Sequence, residues 1–451
     1  MNKILVNKYY AQFLLLILAF TFFTRMYRLH IPETYVFDEV YHAVTAKLMV
    51  TGDIRAYEWH NPPPEPNTAV DWLHPPYAKL TQAASMSIFG KNAFGWRFSS
   101  VIFGCLVVLA TAKIAEELFK DKQIALLAAF LVSLDGLLFT MSRIAMNDVH
   151  VTFFILLSIW QYLVYKNSQR KEKKYLLFAS IAAGLAIGTK WSGIFAIGAI
   201  GIIETVYTLQ VFFSKKIKAS QQRVDFLLRQ FGTLFVCLII IPVILYLGSY
   251  SQMFLLGKDF NHLVEMHKNT WWYQTNLTAT HPAQSKPIEW FLNTKPVWIA
   301  AEYKQPGTRS DIYALGNPAL FWLGNLAIFS TIGILISKNL QTKVVQAKEK
   351  EQLNTLALLL FFYAIVWVPW QLSPRIMFFY HYLPAVPLLT INLSYWLIKM
   401  WQVKKTQLAA AVAVITIFIC FVVLYPHFTL IPVPIGIKEN IYFYFDSWRQ
   451  A

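Results

Sequence analysis

The feature that most constrains this chain is a series of uncharged apolar runs, each roughly 17 to 25 residues long, the length that crosses a hydrocarbon core of about 30 Å as an α-helix. They fall at about 10–28, 93–116, 123–141, 149–165, 175–190, 193–213, 230–252, 318–337, 353–370, 376–398 and 407–425. A soluble fold cannot bury so many complete helices. The expected class is therefore an all-α integral membrane protein with about eleven transmembrane helices. The fifth and sixth runs are separated only by Trp191 and Ser192, so they form either a tight hairpin or one broken helix. The first run follows Lys3 and Lys8, has no small-residue cleavage pattern after it, and reads as an uncleaved signal anchor.

Composition agrees with this reading. Of 451 residues 56% are apolar and 14% charged, where soluble domains carry about 25% charged residues. The formal charge of +16 does not indicate nucleic acid, because the excess Lys and Arg sit in short loops between apolar runs. Cys105, Cys237 and Cys420 lie inside apolar runs without metal-type spacing, so neither a disulfide framework nor a zinc site is indicated.

With the N-terminus in the cytoplasm, four basic clusters fall on one side. These are Lys166, Arg170, Lys171, Lys173 and Lys174; Lys215, Lys216, Lys218, Arg223 and Arg229; Lys338, Lys343, Lys348 and Lys350; and Lys399, Lys404 and Lys405. The positive-inside rule then supports an odd number of spans, since one missed helix would flip every later cluster. Four regions follow: an N-terminal catalytic half, 1–250, with a first outer loop at 29–92; a second outer loop, 251–317; a C-terminal four-helix region, 318–425; and an outer tail, 426–451. The expected location is the cell (inner) membrane, with the C-terminus and the active site on the outer face.

Charges at the edges of apolar segments are costly and tend to be paired or functional, and several gather on that outer face. Asp38-Glu39 opens a stretch with Val40, Ala43, Val44, Lys47 and Leu48 at helical spacing, expected as an amphipathic helix lying in the interface. The acidic pair either favours the positive helix end or supplies a general base to an acceptor hydroxyl. His74-Pro75-Pro76 presents His74 and Lys79 from a stiff turn. Lys79 is either a snorkelling cation or a partner for a lipid phosphate. Arg143 and Asp148 flank a short return, as a local ion pair or as a phosphate fork beside an orienting carboxylate. Lys190-Trp191 lies at the next return, and Arg375 with Tyr380-His381-Tyr382 at the tenth run. Trp271-Trp272-Tyr273 and His281-Pro282 in the second outer loop suit either stacking on a sugar or aromatic anchoring at a membrane surface. Asp38, Glu39 and His42 could in principle hold a divalent metal, although no metal or other cofactor is required.

Taken together, these residues resemble the protein O-mannosyltransferase family, membrane glycosyltransferases of the C-type fold. The N-terminal motifs are Asp38-Glu39, His74-Pro75-Pro76 with Lys79, Arg143 with Asp148, and Lys190-Trp191. The C-terminal ones are His281-Pro282, Pro287-Ile288-Glu289-Trp290, Gly316-Asn317-Pro318, Pro369-Trp370, Arg375 and Tyr380-His381-Tyr382-Leu383-Pro384. The second outer loop is too short for the β-trefoil insertion of eukaryotic members, so the resemblance is to the bacterial branch.

The resemblance implies transfer of mannose, with inversion, from a polyprenyl phosphate to Ser or Thr hydroxyls of a translocated protein. Asp38 is then the base and Glu39 a positioning group beside it. Arg143 and Arg375 are the main phosphate partners, with Lys79, Lys190 and His381 secondary, and His74, Asp148, Tyr380 and His281 position substrate. The implied partners are the lipid-linked donor, the protein acceptor, membrane lipid and the translocation machinery. Transfer of another sugar to a lipid or glycan is the nearest alternative. A transporter is disfavoured because transport sites lie near the bilayer midplane, whereas these charges sit at one surface.

Overall fold

In the computed structural model, residues 3–214, 220–339, 346–437 and 448 are described. Lys215, Lys216, Lys218 and Lys343 of the basic clusters, and most of the tail beyond Ile437, lie outside them. Among the described residues, seven helices are long and apolar enough to cross a membrane: Ala93–Phe119, Asp148–Asn167, Trp191–Phe212, Gln221–Ser249, Pro318–Lys338, Ala347–Leu372 and Lys404–Leu424. The other four expected spans coincide with shorter helices, Tyr10–Met26, Lys122–Ser133, Lys173–Ile187 and Ala385–Trp401.

Each shortening has a local cause. The third expected span breaks after Ser133, because Asp135 caps a separate helix, Gly136–Met141, by accepting from Leu138 N at 2.8 Å. The other oxygen of Asp135 accepts from Asn317 N at 3.1 Å, and Asn317 Nδ2 donates to Leu134 O (3.1 Å) and Ile417 O (2.9 Å). A Cβ on Gly136 would stand 2.4 Å from Leu315 O, so only glycine lets these segments approach so closely. The tenth span begins at Ala385 rather than near 376, because Phe379–Tyr382 forms a 3-10 turn. The fifth and sixth runs are two helices joined by a tight return, with Lys190 extended and Trp191–Gly193 in one 3-10 turn.

The 29–92 segment folds into two packed helices, Glu39–Thr51 and Tyr77–Phe89. The first is the helix expected at the interface, but it is buried on more than one face, including Glu39, His42, Ala43, Thr45, Ala46 and Met49. It shares an apolar core with Ala83, Met86, Trp96, Tyr250, Met253 and Leu263, so both loop segments rest on one cluster. In the 251–317 segment the sequence reading omitted a small antiparallel sheet. Strand β1 (Val297–Glu302) pairs with β2 (Thr308–Ala314) across a turn whose Gly307 has φ +72°, and β3 (Val433–Pro434) pairs with the start of β2. Gln305-Pro306-Gly307 between two β-branched and aromatic runs was the available signal.

The strongest tie between the loop and the helices is a buried ion pair. Glu39 Oε1 accepts from Arg97 Nε (2.8 Å) and Ala145 N (3.0 Å), and its Oε2 accepts from Arg97 Nη2 (2.7 Å) and Val36 N (3.0 Å). Arg97 spends its remaining donors on the carbonyls of Leu29, Pro32 and Thr34. Removing one partner leaves an uncompensated buried charge, which costs about 3–5 kcal/mol. Arg97→Met is therefore expected to lower the melting temperature of the detergent-solubilised protein markedly, whereas exposed Lys174→Met, whose ion pair with Glu172 is at the surface, leaves it nearly unchanged. Equal melting temperatures for the two variants would contradict this role of the pair.

Candidate active site

Asp38 is the residue before the Glu39–Thr51 helix, yet its side chain makes no capping hydrogen bond. Phe37 just before it adopts φ +47°, a left-handed conformation that a bulky residue rarely takes, and its ring packs on Phe378 and Tyr380. The carboxylate does not fold back on its own helix, and its charge acts on Arg375 and Tyr380. Burial pushes Asp38 up to about 6; His42 and Lys190 pull against that rise, while Asp148 and Asp71 add to it. A carboxyl so poised can take a proton near neutral pH.

A cavity of about 330 Å³ is lined by His74, Lys190, Trp191, Trp271, Trp370, Arg375 and His381 among others, and Asp38 is near enough to its Lys190 and Arg375 for their charges to interact. Lys190 Nζ donates to Asp148 Oδ1 at 2.8 Å and lies 5.6 Å from the Tyr380 ring centre. Asp148 is the first residue of its helix. Arg375 uses only Nε, on Ile376 O, so both of its Nη groups remain for a ligand. Burial lowers the pKa of Arg375, with Tyr380, Tyr273 and Asp38 opposing, and a guanidinium stays charged under any such shift. His381 Nδ1 donates to Phe378 O at 2.9 Å, and its ring is enclosed by Trp370, Tyr380 and Trp290. Two cations beside indole rings in one cavity suit a phosphate on a sugar.

The His74-Pro75-Pro76 turn is pinned to the Lys190 return, since Tyr77 N donates to Gly188 O at 3.0 Å and the Tyr77 hydroxyl to Leu245 O at 2.9 Å. Behind it, Asp71 accepts from Lys79 Nζ at 2.9 Å and pairs with His74 Nδ1 at 2.9 Å, while His42 Nδ1 lies 2.8 Å away without hydrogen-bond geometry. Burial works against this carboxylate, but Lys79, His74 and His42 hold it well below the usual range. Burial lowers His74 to about 4, so its ring is neutral.

The structure thus brings together Asp38, His74, Asp148, Lys190, Arg375, Tyr380 and His381. It does not bring in the rest of the expected set. Glu39 is saturated by Arg97, Ala145 and Val36, which also dismantles the combination of Asp38, Glu39 and His42 as a metal site. Lys79 is 1% exposed and gives its ammonium to Asp71 O, Asp71 Oδ2 and His74 O, so it has no donor left for a phosphate. Arg143 donates to the carbonyls of Arg25, Tyr27 and Arg28 and packs over Phe139, closing the end of the Tyr10–Met26 helix. No Arg143–Asp148 ion pair forms, because Asp148 is taken by Lys190. His281 is exposed, with Nδ1 accepting from Ala283 N and its ring against Phe378. His42, Asp71 and His74 have ligand atoms within 4.8 Å of one another, but the Lys79 ammonium on Asp71 opposes a cation there.

Two parts of the arrangement escaped the sequence reading. Arg97 was legible as a charge inside an apolar run. The chain from Trp191 Nε1 to the Tyr246 hydroxyl (3.0 Å) and on to His267 Nε2 (2.6 Å) had no local signal, because it joins residues from three separate elements.

Comparison with known proteins decides the family. Residues 15–256 match the family model for dolichyl-phosphate-mannose-protein mannosyltransferase, and 259–442 match that for the C-terminal four-transmembrane region of protein O-mannosyltransferase. The chain belongs to the protein O-mannosyltransferase family. A polyprenol-phosphate-mannose–protein mannosyltransferase of Corynebacterium glutamicum is 24% identical, over 92% of this chain and 88% of the relative. A mycobacterial protein of the same name, from Mycolicibacterium smegmatis, is 25% identical over 68% of each chain. In fold, this family member is similar to the Saccharomyces cerevisiae Pmt1–Pmt2 complex bound to the sugar donor, with a TM-score of 0.79 at 15% identity, covering 97% of this chain and 92% of that one. It is also similar to ArnT from Cupriavidus metallidurans bound to undecaprenyl phosphate, with a TM-score of 0.56 at 14% identity, covering 94% and 77%. The expected C-type fold is thus shown, and the chain is a multi-span membrane glycosyltransferase.

If ionised Asp38 is the working form, kcat/KM falls about tenfold per pH unit below about 6 and levels off above it. Rates of sugar transfer measured between pH 5 and 8 with the unliganded protein in excess test this, and a profile flat across pH 6 contradicts it.

Proposed function

We propose that this protein transfers mannose from a polyprenyl phosphate to Ser or Thr hydroxyls of a protein substrate, with inversion at the anomeric carbon. The observation that carries the reading is a cavity lined by Lys190, Arg375 and indole rings, with the carboxylate of Asp38 close enough to both cations to act on their charges. Negative charge grows on the departing lipid phosphate in the transition state, and preorganised cations in a water-poor site act where it grows. Asp38 takes the hydroxyl proton from the opposite side, as in-line displacement requires.

Roles follow from what each side chain has free. Arg375 offers its two Nη groups and is the principal phosphate partner. Lys190, oriented by Asp148 and Tyr380, is the second, and His381 and His74 line the same space. Glu39 acts through Arg97, holding the segment that presents Asp38. Lys79 acts through Asp71. Arg143 closes the end of the first helix, where its Nη groups donate to the carbonyls of Arg25, Tyr27 and Arg28, and is not assigned to the phosphate. His281 supports Phe378 at the rim.

The active site opens on the face opposite the basic clusters, the outer face of the cell (inner) membrane, with about eleven spans. The four regions at 1–250, 251–317, 318–425 and 426–451 serve as catalytic half, loop, helical support and tail. An acceptor presented there is unfolded or newly crossed, which fits supply by the translocation machinery. Support comes from the distribution of Lys and Arg in the sequence and from the named relatives.

A panel of polyprenyl phosphate sugars with a Ser/Thr peptide, read by mass spectrometry, is expected to give a hexose adduct from the mannose donor. Asp38→Asn reduces it by at least about a hundredfold, roughly 2.7 kcal/mol in barrier. Arg375→Ala raises the donor KM or lowers kcat, while Arg143→Ala acts only in proportion to lost stability. A hexose adduct from Asp38→Asn above a tenth of the wild-type rate removes Asp38 as the base, and preference for another donor overturns the sugar assignment.

A further inference from the structure

Trp191 and Trp271 are both walls of the cavity that holds Lys190 and Arg375. The main chain of Trp191 is set by its tight return: Lys190 N donates to Ala186 O at 3.0 Å, Gly193 N donates to Lys190 O at 2.8 Å, and a Cβ on Gly193 would stand 2.2 Å from the Ala186 carbonyl carbon. These contacts fix the backbone but do not orient the indole. Its orientation comes from two other elements. Trp191 Nε1 donates to the Tyr246 hydroxyl at 3.0 Å, and that hydroxyl lies 2.6 Å from His267 Nε2.

One backbone carbonyl sets the direction of every bond in this chain. His267 Nδ1 lies 2.7 Å from Leu263 O, and a carbonyl only accepts, so the ring carries a proton on Nδ1. In the neutral ring Nε2 is then a lone pair that accepts from Tyr246. Burial favours that form by lowering the pKa of His267, with the bond to Leu263 O opposing. Having given its one hydrogen to His267, the Tyr246 oxygen accepts, and the indole N–H, which can only donate, matches it. The Trp191 and His267 rings are also stacked, with centres 6.4 Å apart. Packing alone does not enforce this arrangement, because an open groove of about 450 Å³ lies beside it, lined by Tyr246, Leu247, Leu263, His267 and Trp271 among others. The rings have room to turn, and the hydrogen bonds decide where they stop.

The helix that carries His267, Phe260–Asn276, also carries Trp271 one turn further on. It is itself anchored: Leu263 and Met266 sit in the apolar cluster with Met49 and Tyr57, and His262 Nε2 pairs with Tyr57 O at 2.8 Å. One outer-loop helix thus supplies one indole wall directly and holds the other through Tyr246. Resting on the reading of this cavity as the donor site, we propose that Tyr246 and His267 are positioning residues for the donor, fixing the Trp191 indole beside Lys190 so that the cavity is shaped before polyprenyl phosphate mannose arrives. Neither is among the residues that line the cavity. Their effect is on binding, because a wall already ordered need not be ordered on arrival. The chemistry at C1 stays with Asp38 and the cations.

Purified full-length protein in detergent, radiolabelled polyprenyl phosphate mannose and a Ser/Thr peptide give the donor Kd and the steady-state constants separately. Tyr246→Phe is expected to raise the donor Kd and KM about five- to tenfold, with kcat and the acceptor KM within about twofold. His267→Leu does the same, whereas His267→Gln, whose side-chain carbonyl still accepts from Tyr246, stays within about twofold of wild type. In a Trp191→Phe background, Tyr246→Phe adds no further loss. A wild-type donor Kd in Tyr246→Phe, a loss confined to kcat, or a His267→Gln as impaired as His267→Leu overturns the proposal. Should Tyr246→Phe not fold, the two His267 variants, at a half-buried position, decide it alone. Wild-type protein that binds the donor but transfers no mannose overturns the function and leaves this inference to be judged on Kd; an Arg375→Ala variant with wild-type donor Kd removes the cavity as the donor site, and the inference with it.

Discussion

The buried pair of Glu39 and Arg97 is the constraint on which the rest of the site depends. A carboxylate and a guanidinium have been taken out of water, and every donor and acceptor they own is met: Glu39 by Arg97 and two backbone amides, Arg97 by Glu39 and three carbonyls. That saturation is what makes such a pair tolerable in a low-dielectric interior. Its geometric product is a fixed loop. The segment from Leu29 to Val36 is laced to the Ala93–Phe119 helix, so the next residues, Phe37 and Asp38, have no freedom to retreat. The adjacent acids of the Asp38-Glu39 pair thus have opposite fates, one sealed as structure and one left poised near its transition beside Lys190 and Arg375.

A second buried centre, Asp71 with Lys79 and His74, does for the turn before the Tyr77–Phe89 helix what the first does for the turn before Glu39. Between the two, the 29–92 segment presents two chemically distinct edges. One carries a carboxylate near its transition; the other carries the His74 imidazole, which burial keeps neutral. The helical returns at Asp148, Lys190 and Arg375 close the space from the other side. Cations, aromatic walls and base therefore come from elements far apart in sequence, as is usual where a rigid helical frame supports loops that do chemistry.

Much of this was legible in the residues themselves. Helix length follows from the bilayer, and seven of the apolar runs coincide with helices long enough to cross it, the other four with the shorter helices Tyr10–Met26, Lys122–Ser133, Lys173–Ile187 and Ala385–Trp401. The unusual polar residues at the returns marked the right ends of those helices. What could not be read was pairing. Lys79 and Arg375 look alike in sequence as cations at a surface, but Lys79 is closed off by an Asp71 eight residues away, and Arg375 is open because its neighbours are aromatic. Arg143 and Asp148 sit five positions apart and suggest an ion pair, whereas carbonyls at the end of the first helix, more than a hundred residues away, win the arginine and Lys190 wins the acid. The small sheet was missed because its strands lie within a segment dominated by aromatic and polar signals, with the third strand contributed by the tail.

The central claim is spatial: the donor phosphate sits between Lys190 and Arg375, with the sugar turned towards residue 38. Its most direct test is an experimental structure of the Asp38→Asn protein with polyprenyl phosphate mannose bound. The account predicts the phosphate within hydrogen-bond reach of Arg375 Nη and Lys190 Nζ, and C1 of mannose facing the side chain at position 38. A phosphate lodged at Arg143, or a sugar with C1 turned away from residue 38, would contradict it.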